Sequence, residues 1–169
     1  LQLAGNATVR CWGNMLIYGD TVAAYGGGVF STGGTIDTKG TFTIDSCGAK
    51  LYGGGLCNFS NTLTVNAISL TRNIAKTTGG GIHNAGTLTL NGAATIRDNY
   101  SQTAGGGIYT NADLSLPSGS TLSNNTATTS GGGLYVNSGT TTIIGTSITG
   151  NQANGTGTTK GGGGIYVNG

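Results

Sequence analysis

Acid–base, nucleophilic and metal-binding chemistry in this 169-residue chain would have to come from five aspartates, one histidine and three cysteines, because glutamate is absent. Cleavage of a glycosidic bond needs two carboxylates about 5 to 10 Å apart, and lyase chemistry on an acidic polysaccharide needs carboxylates for a cation together with an Arg or Lys base. Asp20, Asp37, Asp45, Asp98 and Asp113 are dispersed; only Asp37 and Asp113 come close to a common position in the repeat described below, two or three repeats apart. His83 has no carboxylate that can be placed beside it. Cys11, Cys47 and Cys57 lack the CxxC spacing of a zinc site. These residues predict a chain that is not an enzyme and uses no cofactor and no metal.

The elements that must position these side chains follow from an internal repeat. A glycine triplet followed by a branched apolar residue begins at Gly26, Gly53, Gly79, Gly105 and Gly131, with a variant at Gly161 to Gly164, so the spacings are 27, 26, 26, 26 and about 30. Each unit holds three short apolar patches. The first is Val29, Leu56, Ile82, Ile108, Leu134 and Ile165; the second includes Ile36, Leu63, Val65, Leu88, Leu90, Leu114, Leu116 and Ile143; the third is assigned to Val9, Ile44, Leu70, Ile96, Leu122 and Ile148. In Thr87-Leu88-Thr89-Leu90 apolar residues alternate with threonine, the period-two pattern of a strand with one wet and one buried face. A repeat this short leaves no room for helices. The sequence therefore predicts an all-β fold: a right-handed, single-stranded parallel β-helix of about six coils of roughly 26 residues, with three short strands per coil and coils starting near 26, 53, 79, 105, 131 and 161. Residues 1–169 read as one domain, expected to be a segment of a longer solenoid.

Composition narrows the function classes. A single proline against 35 glycines excludes collagen, and charged residues at 7% with abundant Val, Ile and Leu argue against disorder. The net charge of +2 is spread over Arg10, Lys39, Lys50, Arg72, Lys76, Arg97 and Lys160 without a basic run, so nucleic acid is not an expected partner. No apolar stretch reaches the ~20 residues that span a bilayer as a helix, and no membrane insertion is expected.

Several columns of like residues follow from the repeat. Asn73, Asn99, Asn125 and Asn151 each stand three residues after a third-patch position, as expected of an asparagine ladder that bonds coil to coil and tolerates a left-handed turn. His83, Tyr109, Tyr135 and Tyr166 follow the first-patch residue and face outward, a candidate binding strip for sugar rings or another protein. Cys57 shares that column. Thr62 with Thr64, Thr87 with Thr89, Asp113 with Ser115 and Thr140 with Thr142 form an outward array of hydroxyls similar to the Thr-x-Thr grids of ice-binding β-helices. Cys11 and Cys47 align within one residue of each other, making a candidate disulfide that would suit an oxidising compartment. The stretch from Trp12 to Tyr25 reads as a loop insertion with Trp12, Met15, Tyr18 and Tyr25 on a contact surface, and that from Asn151 to Lys160 as a second insertion.

The triplet in Gly79-Gly80-Gly81-Ile82 and its equivalents, with the Asn three residues after Leu70, Ile96, Leu122 or Ile148, resembles the repeats of the polymorphic outer-membrane protein family and of autotransporter-like bacterial surface β-helices. Their second signature carries an aromatic where this chain has an aliphatic. The resemblance implies a secreted or cell-surface solenoid, extracellular in location, acting as a structural or adhesive module of a fibre or stalk. The expected partners are further coils, either of the same chain or of copies stacking end to end into filaments, and a cell-surface glycan or protein. The alternative is a module that binds glycan or ice through its Tyr or Thr columns.

Overall fold

A computed structural model describes residues 1–156 and 161–168. Among these residues there is no helix; strands two to five residues long stack into four all-parallel sheets, giving a β-solenoid of about six turns. One coil shows the plan: Ile82–Asn84 lies in the first sheet, Thr87–Leu90 in the second, Ala94–Arg97 in the third and Tyr100–Ser101 in the fourth. Each pairs with its equivalent about 26 residues away, as Ile82 does with Leu56 and Ile108, and Leu70 with Ile44 and Ile96. At about 4.8 Å per rung this makes a rod on the order of 30 Å long.

Register is held by what points inward. Val29, Leu56, Ile82, Ile108 and Leu134 form one fully buried column, and Ile44, Leu70, Ile96 and Leu122 another. Removing this surface from water supplies the main driving force for winding. Each glycine of the triplet is required for a different reason. Gly79 has φ +68 and a Cβ there would lie 2.3 Å from the Ile82 carbonyl oxygen; on Gly80 it would meet the Gly106 and Tyr100 carbonyls, each at 2.4 Å; on Gly81 it would press on the Gly107 carbonyl at 2.7 Å. Coils therefore approach each other at this corner too closely for any side chain.

Three sequence expectations are corrected. The coil has a fourth ladder of two-residue strands, Thr21–Val22, Gly48–Ala49, Ile74–Ala75, Tyr100–Ser101, Thr126–Ala127 and Gln152–Ala153, in addition to the three expected. Its buried inward residues are Ala49, Ala75, Ser101 and Ala127, too small to register as an apolar patch. Val9 belongs to the second sheet, paired with Ile36, while Ile17 takes the third-sheet position beside Ile44. The stretch from Trp12 to Tyr25 is thus no insertion: Met15–Tyr18 and Thr21–Val22 are the third and fourth strands of the first coil. Part of the second stretch read as an insertion, residues 157–160 with Lys160, lies outside the described residues.

Candidate functional site

The Cys11–Cys47 disulfide does not form. Cys11 sits on the second sheet opposite Thr38, whereas Cys47 follows the third-sheet strand Phe42–Asp45, and all three cysteines are free thiols. The misplacement of Val9 by one sheet created the apparent alignment. Burial raises the Cys47 thiol pKa above its ordinary value and pushes that of the fully buried Cys57 up to about 12. A thiol so held is protonated and inert at neutral pH.

The asparagine column is a continuous ladder. Asn73, Asn99 and Asn125 donate from Nδ2 to Oδ1 of the next rung at 3.0, 3.0 and 2.9 Å, and each Oδ1 also accepts the main-chain N–H of the residue one coil back. The second Nδ2 hydrogen reaches a carbonyl, Ile44, Leu70, Ile96 or Leu122 for Asn73, Asn99, Asn125 and Asn151 respectively. The left-handed turn falls one residue earlier than expected, on Ser46 (φ 57), Arg72 (φ 54), Asp98 (φ 58), Asn124 (φ 55) and Gly150 (φ 64), which frees the asparagines to point inward.

A second interior polar column escaped sequence reading. Ser31, Asn58, Asn84 and Thr110 are in register and fully buried, with Asn58 Nδ2 donating to Asn84 Oδ1 at 3.0 Å and Asn84 Nδ2 to Thr110 Oγ1 at 3.1 Å. The same amides bond the Thr87 and Asp113 carbonyls, closing the corner between the first two sheets. Its detectable signal was a polar residue two positions after each first-patch residue: Ser31 after Val29, Asn58 after Leu56, Asn84 after Ile82 and Thr110 after Ile108. The sequence holds five Asn-x-Ser/Thr triplets, the acceptor pattern for N-linked glycans; Asn58 and Asn99 are buried in these two ladders and closed to glycans, while Asn6, Asn124 and Asn154 are exposed.

The aromatic strip is brought together and is longer than expected. Rings stack from Tyr25 through Tyr52, His83, Tyr109 and Tyr135 to Tyr166, with centroids 4.6 to 5.5 Å apart and interplanar angles of 8 to 18°. Tyr52, from the residue before the glycine triplet, fills the place that the small Cys57 leaves in the column. His83 is 5% exposed, and its Nδ1 lies 2.9 Å from Thr78 Oγ1. Burial lowers its pKa to about 4, so the ring is neutral at physiological pH. The ring faces are occupied by one another, leaving edges toward solvent; the column shields the first sheet.

Hydroxyls also align. Thr8, Thr35, Thr64, Thr89, Ser115 and Thr142 are consecutive rungs of the second sheet, and Thr43, Ser69, Thr95, Thr121 and Ser147 of the third. Because two faces carry such columns, the array reflects a general use of β-branched and small hydroxyl residues on wet strand faces.

The aspartates are not a catalytic pair. Asp37 is level with Arg10 and pairs with it (3.9 Å) and with Lys39 (3.6 Å), and its Oδ1 accepts from Asn66 at 2.9 Å. Asp113 stands one residue before Leu114, which pairs with Leu88, so it occupies the Thr87 column; its Oδ1 accepts the Thr140 N–H at 2.8 Å. Asp45 pairs with Arg72 and Asp98 with Arg97. Among the described residues no group of three or more His, Cys, Asp or Glu side chains could hold a metal ion.

Exposed apolar side chains include Ile144 and Val167 on the last coils and two further groups. Trp12, Leu16 and Tyr18 are 82, 63 and 64% exposed on the first coil, with Lys39 Nζ 5.8 Å from the Trp12 ring centroid. On the fourth sheet Ile74 is half exposed, with Val22 and Tyr100 each more than a third exposed.

The family model of the Chlamydia polymorphic membrane protein repeat matches residues 119–137. That stretch runs through third-sheet Thr121–Ser123, fourth-sheet Thr126–Ala127, the triplet and first-sheet Leu134–Val136, and carries both Leu122-x-x-Asn125 and Gly131-Gly132-Gly133-Leu134. The chain therefore contains a repeat similar to those of that family. No curated protein and no solved structure matches it.

Proposed function

We propose that this chain is a non-enzymatic structural and adhesive module of a surface-exposed protein, a stiff spacer whose outer faces carry contacts to a partner. The observation that carries the reading is the internal bracing. The Asn73–Asn151 ladder and the Tyr25–Tyr166 ring stack each run through successive coils, so bending between coils would break hydrogen bonds and ring contacts together. Three of the five aspartates are engaged in ion pairs, and the fully buried thiol is held protonated, so the groups best suited to chemistry are spent on structure. The matched repeat is that of a membrane protein family, which supports a place at the outer membrane or cell surface.

The test has two parts. Beads coated with the chain are passed over immobilised proteins and glycans under flow, and the chain is incubated with a panel of polysaccharides. Retention on a defined surface without turnover is the expected result. Polysaccharide cleavage abolished by Asp37→Asn or Asp113→Asn would overturn the reading, as would failure of the beads to be held by any surface.

A further inference from the structure

The fourth sheet carries a notch that no structural role explains. In its outward column Thr21, Gly48, Ile74, Tyr100 and Thr126 are successive rungs, and Gly48 is the one rung without a side chain. This glycine is not forced by the backbone: a Cβ there would meet Thr21 Cγ2 at 3.5 Å and the Ile74 carbonyl at 3.8 Å, ordinary contacts, and its φ is not left-handed. The gap opens a mostly apolar groove of about 500 Å³ lined by Thr21, Val22, Ala23, Ala49 and Ile74.

Two residues beyond Gly48 and Ile74 on the same strand face stand Lys50 and Lys76, exposed neighbours in one column that also line the groove. Arg10, Lys39, Arg72 and Arg97 each pair with an aspartate, but neither of these lysines forms an ion pair among the described residues. Their backbones lie one rung apart, about 4.8 Å, so two exposed cations stand side by side and an anion seated between them is within reach of both.

We propose that this face docks an extended segment of a partner protein that presents an aliphatic side chain at one position and an acidic side chain two positions later. The match is geometric. In an extended chain residues i and i+2 share a face and lie about 6.6 Å apart, the same separation as Gly48 from Lys50 along their strand. The aliphatic group fills the notch between Thr21 and Ile74, and the carboxylate bridges Lys50 and Lys76. Ile74 and Tyr100 extend the apolar contact along the rod. A saccharide fits this groove poorly, because Thr21 and the lysines are its main polar side chains and an aliphatic wall leaves ring hydroxyls unmatched.

This inference rests on the adhesive reading and names the partner chemistry of one face. Its test uses a display library of random dodecapeptides selected on the wild-type chain, with depletion on Gly48→Thr, whose Cβ makes only ordinary contacts and whose side chain occupies the notch; an unchanged circular dichroism spectrum verifies that the variant folds. Peptides carrying aliphatic-x-Asp/Glu are expected to dominate the selected pool. A fluorescein-labelled peptide containing Leu-Ser-Glu is expected to bind at least tenfold more tightly than Leu-Ser-Gln or Ser-Ser-Glu counterparts. Lys50→Gln with Lys76→Gln is expected to abolish the Glu preference without altering the circular dichroism spectrum. Selected peptides without that pattern, or a probe bound equally by the wild type and Gly48→Thr, would overturn it. Coated beads that still adhere when they carry Gly48→Thr refute this face while leaving adhesion standing; wild-type beads that adhere nowhere refute the adhesive reading itself.

Discussion

Replacing Asn99 by Ala should be among the most destabilising single changes in the rod. Asn99 is 1% exposed and sits mid-ladder, where its Oδ1 accepts both the main-chain N–H and the Nδ2–H of Asn73. Its own Nδ2 holds the Leu70 carbonyl and Asn125 Oδ1. Asn125 Oδ1 keeps a second donor, the Asn99 N–H, so its loss is partial. The two Asn73 donors lose a partner outright, and at about 1 to 3 kcal/mol for each buried orphan the change costs about 4 kcal/mol. Asn151 makes the same two acceptances from Asn125 but is only half-buried, so water can replace its oxygen and Asn151→Ala should cost about 1 kcal/mol. Urea unfolding followed by circular dichroism measures both. Because stability in a solenoid is nearly one-dimensional, hydrogen exchange at the Asn73 amide should report the break locally, with protection falling in Asn99→Ala and not in Asn151→Ala. Equal costs for the two variants, or an Asn99→Ala cost below about 1 kcal/mol, would refute the bracing role of the ladder.

Acid should weaken the rod through His83, whose pKa is lowered from 6.5 to about 4 in the fold. The neutral ring is the folded form, so its contribution is intact above pH 6.5 and is lost as pH falls toward 4; the shift corresponds to about 3 kcal/mol. Urea midpoints at pH 7 and 4.5 should therefore separate for the wild type, and His83→Tyr, which continues the tyrosine column, should show a much smaller separation. Ser101 interrupts the inward alanines of the fourth sheet with a buried hydroxyl that finds no hydrogen-bond partner among the described residues. Ser101→Ala should consequently stabilise by about 1 kcal/mol, and a rise in thermal midpoint checks it. Gly80→Ala should prevent native coil stacking, because its Cβ would lie 2.4 Å from two carbonyl oxygens. Gly48→Ala should leave the thermal midpoint within a degree or two; similar behaviour of the two alanine variants would sink the close-approach explanation.

How far the fold could be read from the sequence depended on how strongly each column advertised itself. The first-patch residues and the glycine triplets recur at fixed spacing and differ sharply from their neighbours, so the coil, its length and the parallel stacking were legible. Leu122-x-x-Asn125 marked the ladder corner for the same reason. The fourth sheet was not legible, since Ala75 and Ala127 fill its narrow interior and carry little hydrophobic signal. The first coil lacked a preceding triplet to anchor it, and Val9, chemically interchangeable with Ile36 or Ile44, was assigned to the wrong sheet; the false disulfide followed from that one slip. The Asn58–Asn84 ladder was hidden by the rule that polar residues face water, which fails where each amide can donate to the next rung and to a corner carbonyl.

The same logic separates the structural columns from the docking face. The columns that brace the rod are engaged largely by their own neighbours: the Asn73 to Asn151 amides by one another, ring faces by ring faces, and Asp37, Asp45 and Asp98 by the cations beside them. Gly48, Lys50, Ile74 and Lys76 break that rule together, with a rung left empty though a side chain would fit, an aliphatic left half exposed and two cations left without a carboxylate. Neither lysine gains an ion pair within the chain among the described residues. On the proposed docking reading this surface is completed by a partner, and the order of its groups along the strand, apolar and then cationic two residues later, is what the docked segment mirrors.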